Sequence, residues 1–399
     1  MILMQQNIEY MIGSMEETVH AKPLPVFDRN VIELLDDVSK EILKIRNVRE
    51  FEDLVSIAFW IRKASLIKMK QQYETKDRLG YGLMFHITPS NIPVQFLYSL
   101  VVSLLAGNAN IIRMSQKEFE QGRIICEALR KSLEKYPSML PYVCLLRYGH
   151  DKEITDELSL KCDGRIVWGG DATISKIRES PLSARAFELT FADRFSLCII
   201  NGQKYLEAPS DTKEKLAHGF YTDTFFSDQN ACNSPRMVVW IGEKESCRNA
   251  AEIFWDLEKE VVEQKYALEQ ISGVNKLLQE CTIAIEMDAK RDRKNSYGNY
   301  VNVVNVGEVS PNISDCKGNG GLFFQAFVEN VRDIIKCVQK DWQTLSYYGV
   351  CTTEILCAIR ETGVKGIDRI VPIGQSMPPS LQWEGIDFIY SLSRHIHVL

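Results

Sequence analysis

A single cysteine in a polar setting is the residue of this chain best suited to covalent chemistry. Cys232 lies in the stretch Gln229-Asn230-Ala231-Cys232-Asn233-Ser234, directly before the apolar run Met237 to Ile241. Cysteine is usually a small buried apolar residue, so amide and hydroxyl neighbours favour a thiol that faces a site. A thiolate becomes a nucleophile where positive charge, a helix N-terminus or hydrogen-bond donors stabilise it. Taken alone the stretch is more typical of a structural cysteine in an Asn-rich turn, so this interpretation depends on the rest of the chain.

A second stretch offers an amide that could polarise a carbonyl group. Asn91 lies between two prolines in Pro89-Ser90-Asn91-Ile92-Pro93, at the end of an apolar run. Proline fixes its own backbone angle, so the loop is rigid and the Asn91 amide is available as a hydrogen-bond donor. A plain Pro/Asn turn would have the same sequence, and that alternative stays open.

Two further stretches are suited to binding phosphate. Arg113, Ser115 and Lys117 place two cations and a hydroxyl after another apolar run, with no carboxylate before Glu118. The pair Gly169-Gly170 follows a third run, and glycine permits close approach of the backbone to a phosphate at a helix N-terminus. The chain has no G-x-G-x-x-G segment there, so a standard Rossmann fingerprint is absent.

The elements that carry these residues alternate between strand and helix. The alternation predicts a parallel sheet covered by helices, an α/β fold, in which ligands bind beyond the carboxyl ends of the strands. A capping box at Asn30 and Glu33 predicts the first long helix. The strands predicted across the chain cover 81–87, 110–114, 142–148, 165–168, 185–189, 195–200, 236–241, 300–306, 322–328 and 346–352.

Composition limits the function classes. The chain has 399 residues, enough for two or three domains, and a net charge of −6 with scattered basic residues, which argues against a nucleic-acid partner. Eleven cysteines without a C-x-x-C pair or a secretory signal predict reduced thiols and a cytoplasmic protein. The most apolar run, Phe96 to Ala106, is too short to span a membrane. His395 and His397 have no nearby Cys or acid to complete a metal site, so we expect no metal.

Four motifs in this order resemble the aldehyde dehydrogenase superfamily, and most closely its acyl-CoA reductase branch of the bacterial luminescence type. They are Pro89 to Pro93, Gly107 to Ser115, Trp168-Gly169-Gly170-Asp171 and Gln229 to Cys232, and the similarity runs from about Tyr81 to Arg394. The resemblance implies two doubly wound α/β domains, Cys232 as the nucleophile and Asn91 as the amide that binds the oxyanion. It also implies an adenosine-binding turn at Arg113, Ser115, Gln116 and Lys117, and a pyrophosphate turn at Gly169 and Gly170.

Two departures from the family pattern bear on mechanism. Glu188 aligns with the superfamily's general base, which implies an acid/base role, but Thr190 and Phe191 replace the glycines that usually follow. Gln116 stands where enzymes that bind the ribose 2′-hydroxyl often carry Glu. A neutral side chain beside Arg113 and Lys117 removes repulsion toward a 2′-phosphate, which favours NADPH over NADH as the cofactor.

The resemblance divides the chain into four parts. We expect an N-terminal helical layer at 1–75, an NADP(H)-binding domain at 76–203 and a catalytic cysteine domain at 204–368. The tail, 369–399, would either cover the domain as a return strand or pair with another subunit of a homo-oligomer.

The resemblance also implies a reaction. The chain would use NADPH to reduce an acyl thioester to an aldehyde through acyl-Cys232, with the acyl group, fatty in this branch, delivered by CoA, an acyl carrier protein or an acylated partner enzyme. One alternative is a hydrolytic NAD(P)-dependent aldehyde dehydrogenase. The other is a non-catalytic protein that retains the fold.

Overall fold

Two compact units make up the computed structural model of this chain, which describes residues 8–267, 270–286, 296–297, 299–316 and 318–398. The first unit comprises the chain up to Asp193 together with Pro378 onward, and the second runs from Arg194 to Met377. The boundaries therefore fall at 193/194 and 377/378, whereas the sequence suggested 203/204 and 368/369. The first seven residues of the predicted helical layer lie outside the described residues.

The first unit is built on a six-stranded sheet. Its order is β1-β5-β4-β3-β6-β7, and only the edge strand β1 is antiparallel to its neighbour. Strand β1 adds a sheet edge to the part of the chain predicted as purely helical. The strands are β1 (Glu9–Ile12), β2 (Arg78–Gly80), β3 (Leu83–Ile87), β4 (Ala109–Arg113), β5 (Val143–Arg147), β6 (Gly164–Trp168) and β7 (Phe187–Phe191).

Helices cover both faces of this sheet. Alternate strand residues point to opposite faces, so Met84 and Ile112 join one core while Phe85 and Ile111 join another. Strands buried on both faces read as continuous apolar runs. The predicted first long helix begins at Arg29, one residue before Asn30, and the side chain of Asp28 caps it. The helices are α1 (Met15–Thr18), α2 (Arg29–Leu43), α3 (Glu52–Trp60), α4 (Lys63–Lys70), α5 (Gln95–Leu105), α6 (Glu120–Lys135), α7 (Lys152–Lys161) and α8 (Asp171–Ile177).

The second unit has its own seven-stranded sheet, in the order β10-β11-β12-β9-β8-β13-β14, parallel except for β10. Its strands are β8 (Phe195–Asn201), β9 (Pro235–Ile241), β10 (Ser296–Tyr297), β11 (Val301–Asn305), β12 (Leu322–Val328), β13 (Trp342–Tyr348) and β14 (Arg369–Pro372). Strand β13 begins four residues before the predicted strand at 346–352, and β8 belongs to this sheet and not to that of the first unit. The helices are α9 (Gly202–Glu207), α10 (Ser210–Thr224), α11 (Lys244–Lys265), α12 (Gln270–Glu286), α13 (Val331–Ile335) and α14 (Thr352–Thr362).

The C-terminal tail returns to the first unit. Its strand β17 pairs antiparallel with β2, and Phe388, Ile389 and Leu392 are buried in the core of that unit. The tail elements are β15 (Gln382–Trp383), β16 (Ile386–Asp387), α15 (Phe388–Ser391) and β17 (Ser393–His395). No described helix is both long and apolar enough to cross a membrane.

A carboxyl group is buried in the core of the second unit. Glu258, on α11, is fully buried, and neither carboxyl oxygen has a hydrogen-bond partner among the described residues. Burial raises the pKa of Glu258 well above its ordinary value, the charge of Asp223 raises it further, and Lys265 opposes the shift. The side chain is therefore protonated in the folded protein at a pH where it is ionised in the unfolded chain.

The substitution Glu258→Gln tests this protonation state. Because the folded-state pKa lies above the unfolded value, wild-type stability falls as pH rises from about 4.5, by about 1.4 kcal/mol per pH unit until the folded-state pKa is reached. We therefore expect the difference in unfolding free energy between variant and wild type to grow in favour of the variant between pH 4.5 and pH 8 in urea titrations. The surface variant Glu361→Gln serves as the control. A difference that stays constant with pH would show that Glu258 is ionised in the fold.

Candidate active site

Three of the predicted stretches lie at one edge of the first unit's sheet. Strands β4, β3 and β6 are adjacent and parallel, and they end at Arg113, Ile87 and Trp168. The loops that follow carry the Arg113–Lys117 turn, Asn91 and the Gly169-Gly170 pair, respectively. The carboxyl edge of a parallel sheet is where ligands bind in this type of fold. The second unit carries Cys232.

The Pro-rich loop and the turn after β4 are tied together. The backbone N–H and the hydroxyl of Thr88 both donate to the Arg113 carbonyl, at 3.2 and 3.0 Å. A cleft opens between the two loops, lined among others by Pro89, Pro93, Ser115 and Lys117. Asn91 is exposed, and no hydrogen bond engages its amide in the described part of the chain. The amide is thus available to a ligand at this edge.

The cationic side chains of the turn differ in how firmly they are held. Arg113 donates to the Gly149 carbonyl at 2.8 Å, and its guanidinium lies 4.7 Å from the centre of the Tyr148 ring. The Ser115 hydroxyl accepts the Lys117 backbone N–H at 3.0 Å, which closes the turn, and the side chains of Gln116 and Lys117 are exposed. Arg113 therefore has a fixed position, whereas Lys117 can adjust to a ligand.

One cation that lines this cleft beside Lys117 is not among the residues predicted from the sequence. Arg147 ends β5, next to β4, and lines the same cleft. Its side chain is 13% exposed and pairs with exposed Glu118 at 3.2 Å, while its Nε has no hydrogen-bond partner in the described ranges. The signal was present, because Arg147 stands at a predicted strand end. No family motif includes Arg147, so the motifs alone do not predict it.

The glycine pair forms a tight turn between β6 and α8. Gly169 donates to the Phe191 carbonyl at 3.1 Å, and Gly170 caps α8. A Cβ on Gly170 would lie 3.0 Å from a carboxylate oxygen of Asp193. The turn thus has the close packing expected of a phosphate cradle, but it also has an acidic neighbour that the sequence motif did not reveal.

Glu188 lies within a cluster of ion pairs in the first unit. Arg165, only 2% exposed, donates through Nε to one carboxylate oxygen at 2.8 Å, and Arg178 donates to the other at 2.8 Å. Both oxygens therefore accept charge-assisted hydrogen bonds, which are stronger than those between neutral groups. Glu188 thus has the surroundings of a structural ion pair, with one arginine on each of its carboxylate oxygens.

The loop before Cys232 is held by one buried amide. Asp228 and Gln229 both adopt left-handed backbone angles, with φ of 52° and 60°, which are uncommon for residues with side chains. The Gln229 side chain is 1% exposed; it donates to the Pro235 and Leu322 carbonyls at 3.2 Å and accepts the Gly321 N–H at 3.1 Å. Three hydrogen bonds from one side chain fix this strained turn.

Cys232 is flanked by buried residues. The Ser196 hydroxyl donates to the Cys232 carbonyl at 2.6 Å, and the side chains of Asn233 and Ser234 are buried. From residue 231 to residue 241 every residue is buried except Cys232, which is partly exposed. The residue with the reactive atom is thus the accessible member of an otherwise closed segment.

The other cysteines provide a contrast. No disulfide joins any of the eleven. Burial raises the pKa of Cys126 to about 11 and those of Cys144 and Cys162 to about 12, which makes these thiols unreactive. Exposed Cys351 caps α14, and the backbone N–H groups of Thr353 and Glu354 lower its pKa. Reactivity measurements on Cys232 must therefore be separated from those on Cys351.

Metal chemistry has no evident site here. Within the described ranges, no group of three or more His, Cys, Asp or Glu side chains could hold a metal ion.

Comparisons with known proteins identify the family and the fold of this chain. The family model described as acyl-CoA reductase (LuxC) matches residues 49–395. A long-chain acyl-protein thioester reductase from Aliivibrio fischeri is 26% identical over 310 residues, which cover 74% of this chain and 59% of that relative. The chain thus spans less than two thirds of the length of this relative.

Solved structures show the same fold at low identity. Aldehyde dehydrogenase 21 from Physcomitrella patens, in complex with succinate, has a TM-score of 0.66 at 11% identity and covers 92% of this chain and 84% of its own. The glyceraldehyde-3-phosphate dehydrogenase GapN from Methanocaldococcus jannaschii, complexed with NADP, has a TM-score of 0.62 at 14% identity, with 93% and 89% covered. The fold is therefore that of the aldehyde dehydrogenases, and the chain belongs to the LuxC family of acyl-CoA reductases.

Proposed function

We propose that this chain reduces an acyl thioester to an aldehyde, with NADPH as the reductant and Cys232 as the acyl carrier. The observation that carries the proposal is the accessibility of Cys232 within the segment 231–241, whose other residues are buried, in a chain of the acyl-CoA reductase family. The relative from Aliivibrio fischeri is named for an acyl-protein substrate, so the proposal includes an acylated protein as well as acyl-CoA as donor.

The acyl transfer step follows from the chemistry of the thiol. The Cys232 thiolate attacks the thioester carbonyl, and the carrier thiolate leaves, so one thioester replaces another. Negative charge develops on the carbonyl oxygen during the attack, and the family resemblance implies that the Asn91 amide and the Cys232 N–H donate hydrogen bonds to it. One donor of this kind contributes about 10²–10³ in rate in other enzymes.

NADPH, when bound, supplies the hydride that reduces the acyl carbon. The residues proposed to hold it are Arg113, Ser115, Gln116 and Lys117 after β4, and Gly169 and Gly170 after β6. They support the assignment because they meet at the carboxyl edge of one sheet, and GapN, which shares the fold, binds NADP. We add Arg147, which lines the same cleft and whose buried Nε has no hydrogen-bond partner among the described residues. When the aldehyde departs, Cys232 returns as thiolate.

The choice of NADPH depends on charge at the turn after β4. A 2′-phosphate needs cations and hydrogen-bond donors, and Arg113, Lys117 and Arg147 supply them. Gln116 is exposed and neutral, so it does not repel the phosphate. The acidic side chain next to the turn, Glu118, is exposed and already paired with Arg147, which also lies 3.9 Å from the exposed carboxylate of Glu9.

Reduction fits the surroundings of Glu188 better than hydrolysis does. A hydrolytic aldehyde dehydrogenase must activate a water molecule with a general base, and Glu188 was the predicted base. Arg165 and Arg178 occupy both of its carboxylate oxygens. Aldehyde formation needs no activated water, so these ion pairs can persist throughout the reaction. Steady production of acid from aldehyde and NADP⁺ without CoA would favour the hydrolytic alternative.

Cys232→Ala should abolish acyl-enzyme formation and leave NADPH binding intact, because it removes the sulfur and nothing from the first unit. Intact-mass spectrometry after incubation with acyl-CoA esters of several chain lengths measures the adduct, and nucleotide fluorescence measures binding. Cys351→Ala is the matched control, because this exposed thiol has a lowered pKa. Acyl adduct on Cys232→Ala, or its loss from Cys351→Ala alone, would refute the assignment. If neither the wild-type protein nor Cys232→Ala acquires an acyl adduct, the proposed function is refuted.

Gln116→Glu should shift cofactor preference toward NADH, because a carboxylate would repel the 2′-phosphate and could accept a hydrogen bond from the ribose hydroxyl. We expect the ratio of kcat/KM for NADPH to that for NADH to fall by at least about tenfold, which corresponds to about 1.4 kcal/mol. Gln72→Glu makes the same charge change on an exposed residue of the first unit. An unchanged ratio would exclude Gln116 from cofactor selection.

Glu188→Gln should lower stability, because it leaves buried Arg165 with an incomplete partner. Removing one member of a buried ion pair costs about 3–5 kcal/mol, and the double variant Arg165→Met/Glu188→Leu should recover most of that loss. Unfolding in urea measures both. A Glu188→Gln protein with wild-type stability and lost aldehyde formation would instead establish an acid/base role.

A further inference from the structure

The loop that carries Cys232, residues 228–234, is called the thiol loop below. A turn of the second unit lies between helix α10 and this thiol loop. The turn, residues 374–376, follows β14 and is held by Asp223 near the end of α10. One Asp223 carboxylate oxygen accepts the Gly374 N–H at 2.6 Å, and the other accepts the Ser376 N–H at 2.9 Å. Asp223 is fully buried. Both oxygens are thus committed to the backbone of one short turn, 151 residues away in sequence.

The approach of the turn to α10 depends on two glycines. Gly374 has φ of +87°, a conformation that side chains rarely adopt. A Cβ on Gly374 would lie 3.0 Å from the Cα of Gly219, and a Cβ on Gly219 would lie 3.1 Å from the Cα of Gly374. Gly219 and Asp223 are four residues apart and so share one face of the helix. The glycine contact brings the turn within reach of the carboxylate.

The far end of the turn binds the thiol loop. The Ser376 carbonyl accepts hydrogen bonds from the Asn233 side-chain amide at 2.5 Å and from Arg369 at 2.6 Å. Asn233 is 2% exposed and directly follows Cys232. A continuous chain of hydrogen bonds therefore runs from Asp223 through Ser376 to the residue beside the thiol. All of its members belong to the second unit.

We propose that Asp223 is a positioning residue, which holds the 374–376 turn so that Asn233 fixes the backbone of Cys232 for acyl transfer. The inference deepens the proposed function and rests on it for the acyl-transfer step, although the hydrogen-bond chain exists independently of it. Displacement of a reacting group by about 1 Å can slow a reaction about 10²-fold, so a residue remote from the sulfur can control its rate. Asp223 touches neither the sulfur nor the substrate.

We call the two hydrogen bonds from Gly374 and Ser376 to Asp223 the clamp. The charges around Asp223 make this clamp sensitive to pH. Burial raises the pKa of Asp223 to about 6, against the lowering effects of the Gly374 and Ser376 hydrogen bonds and of Arg369 on β14. The charge of Asp223 in turn raises the pKa of Glu258 on α11 and that of Cys198 on β8. Above pH 6 the ionised carboxylate accepts both N–H groups. Below pH 6 the carboxyl group is neutral and accepts hydrogen bonds from the two N–H groups more weakly, so acyl transfer should slow as pH falls through 6.

Asp223→Asn is the first test, because it keeps the side-chain shape and one acceptor oxygen but loses the second. We expect acylation of Cys232 by acyl-CoA at saturating donor concentration to slow about 10–100-fold. The fall in the acylation rate near pH 6 should disappear, and NADPH affinity should stay unchanged. Asp211→Asn makes the same change on the exposed first turn of α10 and is the control. Wild-type acylation rates in Asp223→Asn would overturn the proposal.

Hydrogen exchange keeps the inference testable apart from activity. Loss of the clamp should speed amide exchange in peptides covering 229–236 and 373–377, while the rest of the second unit stays protected. Exchange that rises throughout the unit would reveal a general stability role and overturn the local clamp. If the wild-type protein never acquires an acyl group, the proposed function fails, and exchange still decides whether the clamp exists.

A double-mutant cycle tests whether the hydrogen bonds from Asp223 to Asn233 act together. Asn233→Ala removes the hydrogen bond from Asn233 to the Ser376 carbonyl. The double variant Asp223→Asn/Asn233→Ala should therefore slow acylation no more than the stronger of the two single variants. Rate losses that multiply would show that Asp223 and Asn233 act independently, and would overturn the proposal. Asn233→Ala also provides the same exchange readout should Asp223→Asn fail to fold.

Discussion

Buried side-chain amides fix the loop that carries Cys232. Gln229 joins the backbone on three sides, and Asn233 binds the Ser376 carbonyl. A buried polar group left without a partner costs about 1–3 kcal/mol, so alternative loop arrangements that break these bonds are disfavoured. The uncommon backbone angles of Asp228 and Gln229 persist because of this network. The position of the thiol is therefore determined by residues that take no part in the chemistry.

Most of the strands could be predicted because strands covered on both faces are mainly apolar, as in β3 to β6, where His86, Asn110 and Arg165 are polar exceptions within the strands. The predicted strand begins four residues later than β13 because the first half of β13 carries buried Gln343 and Thr344, which break the apolar pattern. The start of α2 was misplaced for a different reason. Asp28 and Asn30 are both suitable caps, and only the fold selects Asp28.

The candidate site could be predicted where its residues are local in sequence, as in the strand-end loops and the thiol stretch. Its long-range partners could not, because spacing along the chain carries no information about contacts across 151 residues, such as that of Asp223 with Gly374. Glu188 illustrates the same limit. Alignment identifies the carboxylate, whereas Arg165 on the neighbouring strand and Arg178 after α8 decide what it can do.

The charge at the sheet edge depends on exposure as much as on residue type. Arg147 is 13% exposed and Glu118 is 83% exposed, so their ion pair joins a fixed cation to a mobile anion. Such a pair with an exposed member contributes about 0–1 kcal/mol. A phosphate with two or more acceptor oxygens can displace Glu118 at little cost, while burial keeps Arg147 in place. The apparent neutralisation of the cleft is thus reversible, and the edge remains suited to an anion even though carboxylates border it.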